Sequence, residues 1–258
     1  MKRSANYEVN DAEFIINDYN NTKPFSSFFP SIAGVWGKPM WVFYVNRGQA
    51  IACMGTTDKN GAITEFVAAN KAYRLTPSHG FRTFIKSGGN IHEPFRQKSG
   101  KRKPVQKMHI TSDRLKLSET DRSSGFETTV EYFAIPNEEI PSFARILKIK
   151  NISSGRKDLQ CLDGMPVIEP YGTGDYLLKN MSRLAEGWFS GVEFSKKYGV
   201  PAYKLRVIPE DNPEIEEIRA ANFYGGVVLQ PSGKTVIPAF ITDPEDIFGE
   251  FKDFTEPE

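Results

Sequence analysis

Apolar residues along this chain recur mostly at alternate positions, the spacing of a strand with one buried face. Phe126-Glu127-Thr128-Thr129-Val130-Glu131-Tyr132 alternates imperfectly and is rich in β-formers, and Leu115-Lys116-Leu117 and Ile146-Leu147-Lys148-Ile149-Lys150 repeat the pattern over shorter stretches. Further strands are expected at 13–17, 41–45, 49–54, 63–68, 81–86, 106–111, 158–164, 203–208, 223–229 and 236–241. Turn signals separate them: Asn46-Arg47-Gly48, Lys59-Asn60-Gly61, Ser87-Gly88-Gly89-Asn90, Ser153-Ser154-Gly155 and Pro231-Ser232-Gly233. Asn60-Gly61 between two apolar runs is the strongest hairpin signal. So many short strands cannot lie in one flat open sheet, so the pattern predicts an all-β chain folded as a two-layer sandwich. Helix is scarce. One is expected at 176–186, with Leu177, Met181, Leu184 and Ala185 on one face, Asp175 as cap and Gly187 as stop. A second is expected at 213–221, with Asn212 as cap and Pro213 in the first position.

Composition narrows the class. The 258 residues suffice for one large β domain or two small ones, and one domain over 1–258 is the expectation. Nineteen Phe and ten Tyr argue for a packed core and against disorder. With 33 Lys+Arg against 32 Asp+Glu the net charge is +1, which disfavours nucleic acid and other polyanions as partners. The balance hides local asymmetry: 209–258 holds twelve acids against three bases, while 96–107 is basic. Met1-Lys2-Arg3 is followed by no apolar stretch, so no secretory signal is read there. Met40–Val45, the longest aromatic-apolar run, is far too short to span a membrane. Cys53 and Cys161 have no metal spacing and read as two buried free thiols. A cytoplasmic location is the expectation.

Candidate chemistry is sparse. Lys98, Lys101, Arg102, Lys103 and Lys107 could neutralise phosphates, but their Gly and Pro neighbours favour a solvated loop. Gly172-Thr173-Gly174-Asp175 lacks the third glycine of a dinucleotide fingerprint, and reads as a tight loop entering a helix. His79, His92 and His109 have no helical metal spacing, so no metal site is read. His92-Glu93 beside a Gly-rich loop could be an acid/base pair, with packing as the plainer account. No Gly-x-Ser-x-Gly elbow and no adjacent Cys/His pair supports nucleophilic catalysis. Asp163, Glu169, Glu193 and Asp243 cannot be paired in space from sequence.

The most sugar-like stretch is 34–49. Trp36 and Trp41 offer flat faces for a pyranose, and Asn46, Arg47 and Gln49 offer donors for hydroxyls or phosphate. The competing account is a core strand carrying Trp41, Phe43 and Val45 on one face and Met40, Val42 and Tyr44 on the other. Core is favoured for Trp41. Trp36, flanked by Gly34 and Gly37, stays open between platform and loop.

Several stretches in order resemble the N-terminal domain of the cellobiose phosphorylase-like family of inverting glycoside phosphorylases. They are Asn20-Asn21-Thr22-Lys23-Pro24-Phe25, then 41–70, then 145–172 with Leu162-Asp163-Gly164-Met165-Pro166 and Pro170-Tyr171-Gly172. Asn222-Phe223-Tyr224-Gly225-Gly226 and Asp246-Ile247-Phe248-Gly249 follow. The likeness is nearer the β-glucan (oligoglucan) phosphorylase branches, because Val35-Trp36-Gly37-Lys38-Pro39-Met40-Trp41 replaces a Gly-Gly-Gly-Tyr-Ser-Trp stretch associated with cellobiose phosphorylase itself.

The resemblance implies a β-supersandwich of the galactose-mutarotase-like type. It implies a partner α/α barrel that carries the general acid and most of the phosphate site, and a homodimer in the full enzyme. No barrel pattern occurs in this chain, so no catalytic residue is carried over and the chain alone is expected to be inactive. The full enzyme would use inorganic phosphate as co-substrate, no cofactor, and yield α-glucose 1-phosphate from a β-glucoside. Arg47, Arg74 and Arg82 are the basic residues this reading sets beside the sugar path. Two alternatives stay open: a free-standing carbohydrate-binding module, and an aldose 1-epimerase built on His92 or His79 with Glu193.

Overall fold

A computed structural model of the chain describes residues 6–10, 12–30, 32–100, 102–181, 192–195, 198–207, 213, 217–249 and 257. Its elements run β1 (Tyr7–Val9), β2 (Phe14–Asn17), β3 (Ser26–Phe28), β4 (Met40–Val45), β5 (Ile51–Thr56), β6 (Ala62–Thr64), α1 (Ala69–His79), β7 (Arg82–Ser87), β8 (Asn90–His92) and β9 (Val105–Ile110). They continue with β10 (Leu115–Asp121), β11 (Phe126–Ala134), β12 (Phe143–Asn151), β13 (Gln160–Gly164), α2 (Asp175–Asn180), β14 (Val192–Ser195), β15 (Val200–Tyr203), β16 (Asn222–Phe223), β17 (Val228–Leu229), β18 (Thr235–Val236) and α3 (Glu245–Phe248). The protein is mostly β-sheet, as the alternation predicts. It divides into two compact units: Met1–Thr57 with Val67–Pro166, and Asp58–Phe66 with Val167–Glu258.

The first unit is organised on an antiparallel six-stranded sheet of order β1-β2-β9-β10-β11-β12. Alternation decides its inner face: on β10, Leu115, Leu117, Glu119 and Asp121 are buried, while the residues between them are more accessible. Register stacks this face into layers. Phe14, Ile110, Leu115, Tyr132 and Arg145 form one row, and Ile16, Met108, Leu117, Val130 and Leu147 the next. Beyond them lie Gln106, Glu119, Thr128 and Ile149, and then Asp121 opposite Phe126. The inner face is therefore apolar in the middle and polar at both ends.

Strands β3-β4-β5 and the sheet β13-β7-β8 supply what packs onto that face. Phe14 meets Phe25 at 5.6 Å between ring centroids, and Phe29 meets Phe143 at 5.7 Å. Tyr132 stacks on Phe143, tilts against Phe81, and donates its hydroxyl to the Gln49 carbonyl at 2.8 Å. Cys53 is buried on β5, whereas Cys161 on β13 is exposed, against the expectation of two buried thiols.

Helix α1 was not anticipated. Pro77 in its last turn and Ala68 without a capping side chain mask it in the sequence. Tertiary packing holds it: Ala72 and Thr76, four apart, are buried, and Thr76 Oγ1 donates back to the Ala72 carbonyl at 2.7 Å. At Lys59–Gly61 the chain makes a 3-10 turn, begun by Asp58 accepting the Asn60 N–H at 2.8 Å, in place of the expected two-residue hairpin turn.

The second unit contains the sheet β14-β15-β16, the ribbon β17–β18, and α2 and α3. Leu177, Leu205 and Ile218 form a small core, with Met181 against it. The Gly172-Thr173-Gly174 loop does lead into a helix. Gly172 sits at φ +96, which favours glycine, and a Cβ there would lie 2.3 Å from Ile218 Cδ1 and push that side chain aside. Gly174 is the N-cap and Asp175 the first helical residue, a correction to Asp175 as cap; Asp175 instead pairs with Lys59 at 2.8 Å and Lys179 at 2.6 Å. Residues 182–186 of the expected 176–186 helix and its Gly187 stop lie outside the described residues. So do 214–216 of the expected 213–221 helix, while Glu217 forms an antiparallel bridge with Val207 and is not helical. No helix among the described residues is long and apolar enough to cross a membrane.

Candidate functional site

The residues singled out by sequence have different fates. Asn46 is wholly buried: its Nδ2 donates to the Tyr19 carbonyl, Thr22 Oγ1 and the Lys23 carbonyl, and its Oδ1 accepts the Phe25 N–H at 2.8 Å. Arg47 donates to the Tyr19, Asn46 and Thr22 carbonyls and lies 5.8 Å from the Tyr73 ring centroid. Burial lowers its guanidinium below its usual value. Arg82 donates to Glu93 at 2.7 Å and covers the Phe84 ring. Asn46 and Arg47 thus tie backbone segments together, while Arg82 is held by an acidic side chain and a ring. Arg74 is exposed on α1.

Trp41 is half-buried on β4 and donates Nε1–H to the Thr56 carbonyl at 3.2 Å. Its neighbours Met40, Val42, Phe43, Tyr44 and Val45 are all buried, so both faces of β4 are covered. Trp36 differs. It is 82% exposed, next to Val35 at 84%, on a turn fastened to the β11–β12 connection. Asn137 N–H donates to the Ala33 carbonyl at 2.7 Å, Asn137 Oδ1 accepts the Trp36 N–H at 3.3 Å, and Lys38 N–H reaches the Glu138 carbonyl. A Cβ on Gly37 would lie 2.0 Å from the Ala33 carbonyl oxygen, so glycine lets the two segments close up. The result is a flat aromatic face standing in solvent on a fixed turn.

A cluster of ionisable groups in the first unit sits at the acidic end of the inner face. Glu119 and Asp121 reach it from β10 and His92 from the end of β8. Glu119 is 1% exposed. Its Oε2 accepts the Phe95 N–H at 2.6 Å and Gln106 Nε2 at 2.7 Å. Phe95 adopts φ 65, a strained conformation for a non-glycine residue, held by that bond and by Asn20 Nδ2 donating to its carbonyl at 2.9 Å. Asp121 Oδ1 accepts the N–H and hydroxyl of Ser123, at 2.8 and 2.5 Å. Burial alone would raise the Asp121 carboxyl, but Ser123 and Lys98, 3.3 Å from Oδ2, outweigh it and hold it below its usual value.

The remaining carboxylate oxygens face the imidazole: Glu119 Oε1 lies 3.3 Å from His92 Nε2, and Asp121 Oδ2 lies 3.8 Å from Nδ1. The expected His92-Glu93 pair is not what forms. Glu93 is taken by Arg82 and by Arg96 at 3.7 Å, and His92 is matched with acids distant in sequence. In the second unit Glu193 lies 3.8 Å from Lys204. Of the basic patch, Lys98 pairs with Asp121 and Lys103 with Asp18, so part of it is structural.

At the opposite end of the inner face, Arg145 is the centre of a second polar group. It pairs with Asp163, donates to Gln49 Oε1 and Thr83 Oγ1, and lies 5.0 Å from the Phe81 ring centroid. Thr83 in turn donates to Asp163 at 2.6 Å and accepts from Gln49 at 3.0 Å. These contacts join β7, β12 and β13 to the Gln49 turn, which marks a bracing network.

Sequence reasoning missed the Glu119–Asp121 pair. The signal was present, because the Leu115-x-Leu117 alternation continues through Glu119 and Asp121 and places two acids at inward positions. A comparison of the chain with protein-family models and with curated proteins finds no match.

Proposed function

We propose that this chain is a non-catalytic, carbohydrate-facing β-supersandwich of the galactose-mutarotase-like type, serving an inverting β-glucoside phosphorylase of the cellobiose phosphorylase-like family. The observation that carries the reading is the Trp36 turn. A planar, solvent-facing indole fixed by Asn137 and Gly37 suits the apolar face of a glucose unit, and its rigidity lowers the entropy lost on binding. Asn46, Arg47 and Arg82 belong to the scaffold on this reading, and Trp36 is the contact. Arg74, exposed on α1, is the basic residue left for a phosphate or sugar hydroxyl. Catalysis, inorganic phosphate binding and a homodimer belong to the complete enzyme with its α/α barrel.

Titration with β-linked gluco-oligosaccharides tests the proposal. Tryptophan fluorescence should change saturably with chain length, and Trp36→Ala should abolish the response while leaving the circular dichroism unchanged. Binding that survives Trp36→Ala, or no binding to any β-glucan, would reject it.

A further inference from the structure

We infer that His92, Glu119 and Asp121 form a binding site for one divalent transition-metal cation, Zn²⁺ by preference. One nitrogen and two carboxylate oxygens from these residues all lie within 4.8 Å of one another. Two ligands of a tetrahedral Zn²⁺ stand roughly 3.4 Å apart, given metal–ligand bonds near 2.1 Å. The 3.3 Å between His92 Nε2 and Glu119 Oε1 matches that separation.

The independent observation is an unmet need. Glu119 Oε1 and His92 Nε2 are both enclosed, and neither has a hydrogen-bond partner among the described residues, although Glu119 is only 1% exposed. A buried carboxylate oxygen without a donor is costly, and native folds rarely leave one. One cation between the two atoms satisfies both at once.

The surroundings are those of a held ligand set. Each carboxylate uses one oxygen to accept two donors from the protein, Phe95 N–H and Gln106 for Glu119, and two from Ser123 for Asp121. Its other oxygen is thereby aimed at the imidazole. Such second contacts fix ligand orientation and are characteristic of metal sites. Lys98 Nζ lies 3.3 Å from Asp121 Oδ2, the oxygen that also faces the imidazole, and its side chain is partly exposed, so a divalent ion entering there would displace the ammonium toward solvent. An imidazole with two carboxylates suits Zn²⁺ or Mn²⁺, whereas Ca²⁺ and Mg²⁺ call for an all-oxygen set. Bound there, the ion would tie β8 and the strained Phe95 segment to β10, steadying that end of the sheet.

The test is calorimetric titration of the chelator-treated full chain with Zn²⁺, with Ca²⁺ as comparison. One equivalent of Zn²⁺ should bind, and His92→Gln and Glu119→Gln should each weaken it at least roughly tenfold. His109→Gln removes a histidine paired with Glu13 on the same sheet and should leave binding unchanged. Should the Glu119 variant fail to fold, Co²⁺ added to the unaltered protein must perturb the ring signals of His92 selectively among the three histidines. Absence of saturable Zn²⁺ binding, binding undiminished in His92→Gln, or Co²⁺ effects spread equally over all three rings would overturn the inference.

Discussion

Glu169 offers the sharpest test of the electrostatics. Its backbone is well tied in the second unit, with its N–H on the Ile63 carbonyl at 2.8 Å and its own carbonyl accepting Asn222 Nδ2 at 2.8 Å. Its side chain is buried, and Oε2 has no hydrogen-bond partner among the described residues. Burial, with a smaller push from the Glu65 carboxylate, raises the carboxyl from 4.5 to about 7. At about 1.4 kcal/mol for each tenfold change in proton affinity, that shift corresponds to about 3 kcal/mol. The direction follows from proton counting. Between pH 4.5 and about 7 the folded chain keeps a proton that the unfolded chain has released, so stability falls as pH rises through that window. Above it the full penalty is in place. Glu169→Gln keeps the shape of the protonated acid and cannot ionise. It should be more stable than the parent by up to about 3 kcal/mol near pH 8, with the gap closing toward pH 4.5. Urea unfolding followed by circular dichroism across that range measures it. A variant no more stable than the parent at the alkaline end, or a gap independent of pH, would refute the argument.

Two further outcomes follow from the first unit. Arg145→Ala leaves Asp163, Gln49 and Thr83 without their shared donor and should cost about 3–5 kcal/mol of stability in denaturant unfolding; a loss below about 1 kcal/mol would show that the network does not brace the sheets. Gly37→Ala forces a methyl group against the Ala33 carbonyl and the Asn137 N–H, so the Trp36 turn must open. Its stability should fall by about 1–3 kcal/mol, and oligosaccharide-dependent fluorescence should weaken with it; an unchanged titration would separate turn geometry from binding.

Much of the fold was legible because strand periodicity is a local property. The runs at 13–17, 41–45, 81–86, 106–111, 115–117, 126–132, 146–150 and 158–164 all fall on observed strands. Helix α1 was hidden, because Pro77 and an uncapped start argue against a helix that packing against β4 and β5 nevertheless stabilises. The division into two units was hidden too: Asp58–Phe66 joins the second while Val67–Pro166 returns to the first, and no composition change marks either passage.

At the sites, sequence by itself determined residue types and their alternation. It placed Trp36 between two glycines, continued the β10 alternation through Glu119 and Asp121, and put His92 just after a Gly-Gly turn. Tertiary structure alone decided their partners. Asn46, Arg47 and Arg82 looked like ligand-binding groups and became internal hydrogen-bond donors, because the nearest carbonyls and Glu93 come from segments brought in by folding. His92 faces acids 27 and 29 positions away for the same reason. Strand pairing fixes which distant side chains share a buried face, and that pairing is settled by the burial of the whole sheet, a sum no single stretch of sequence contains.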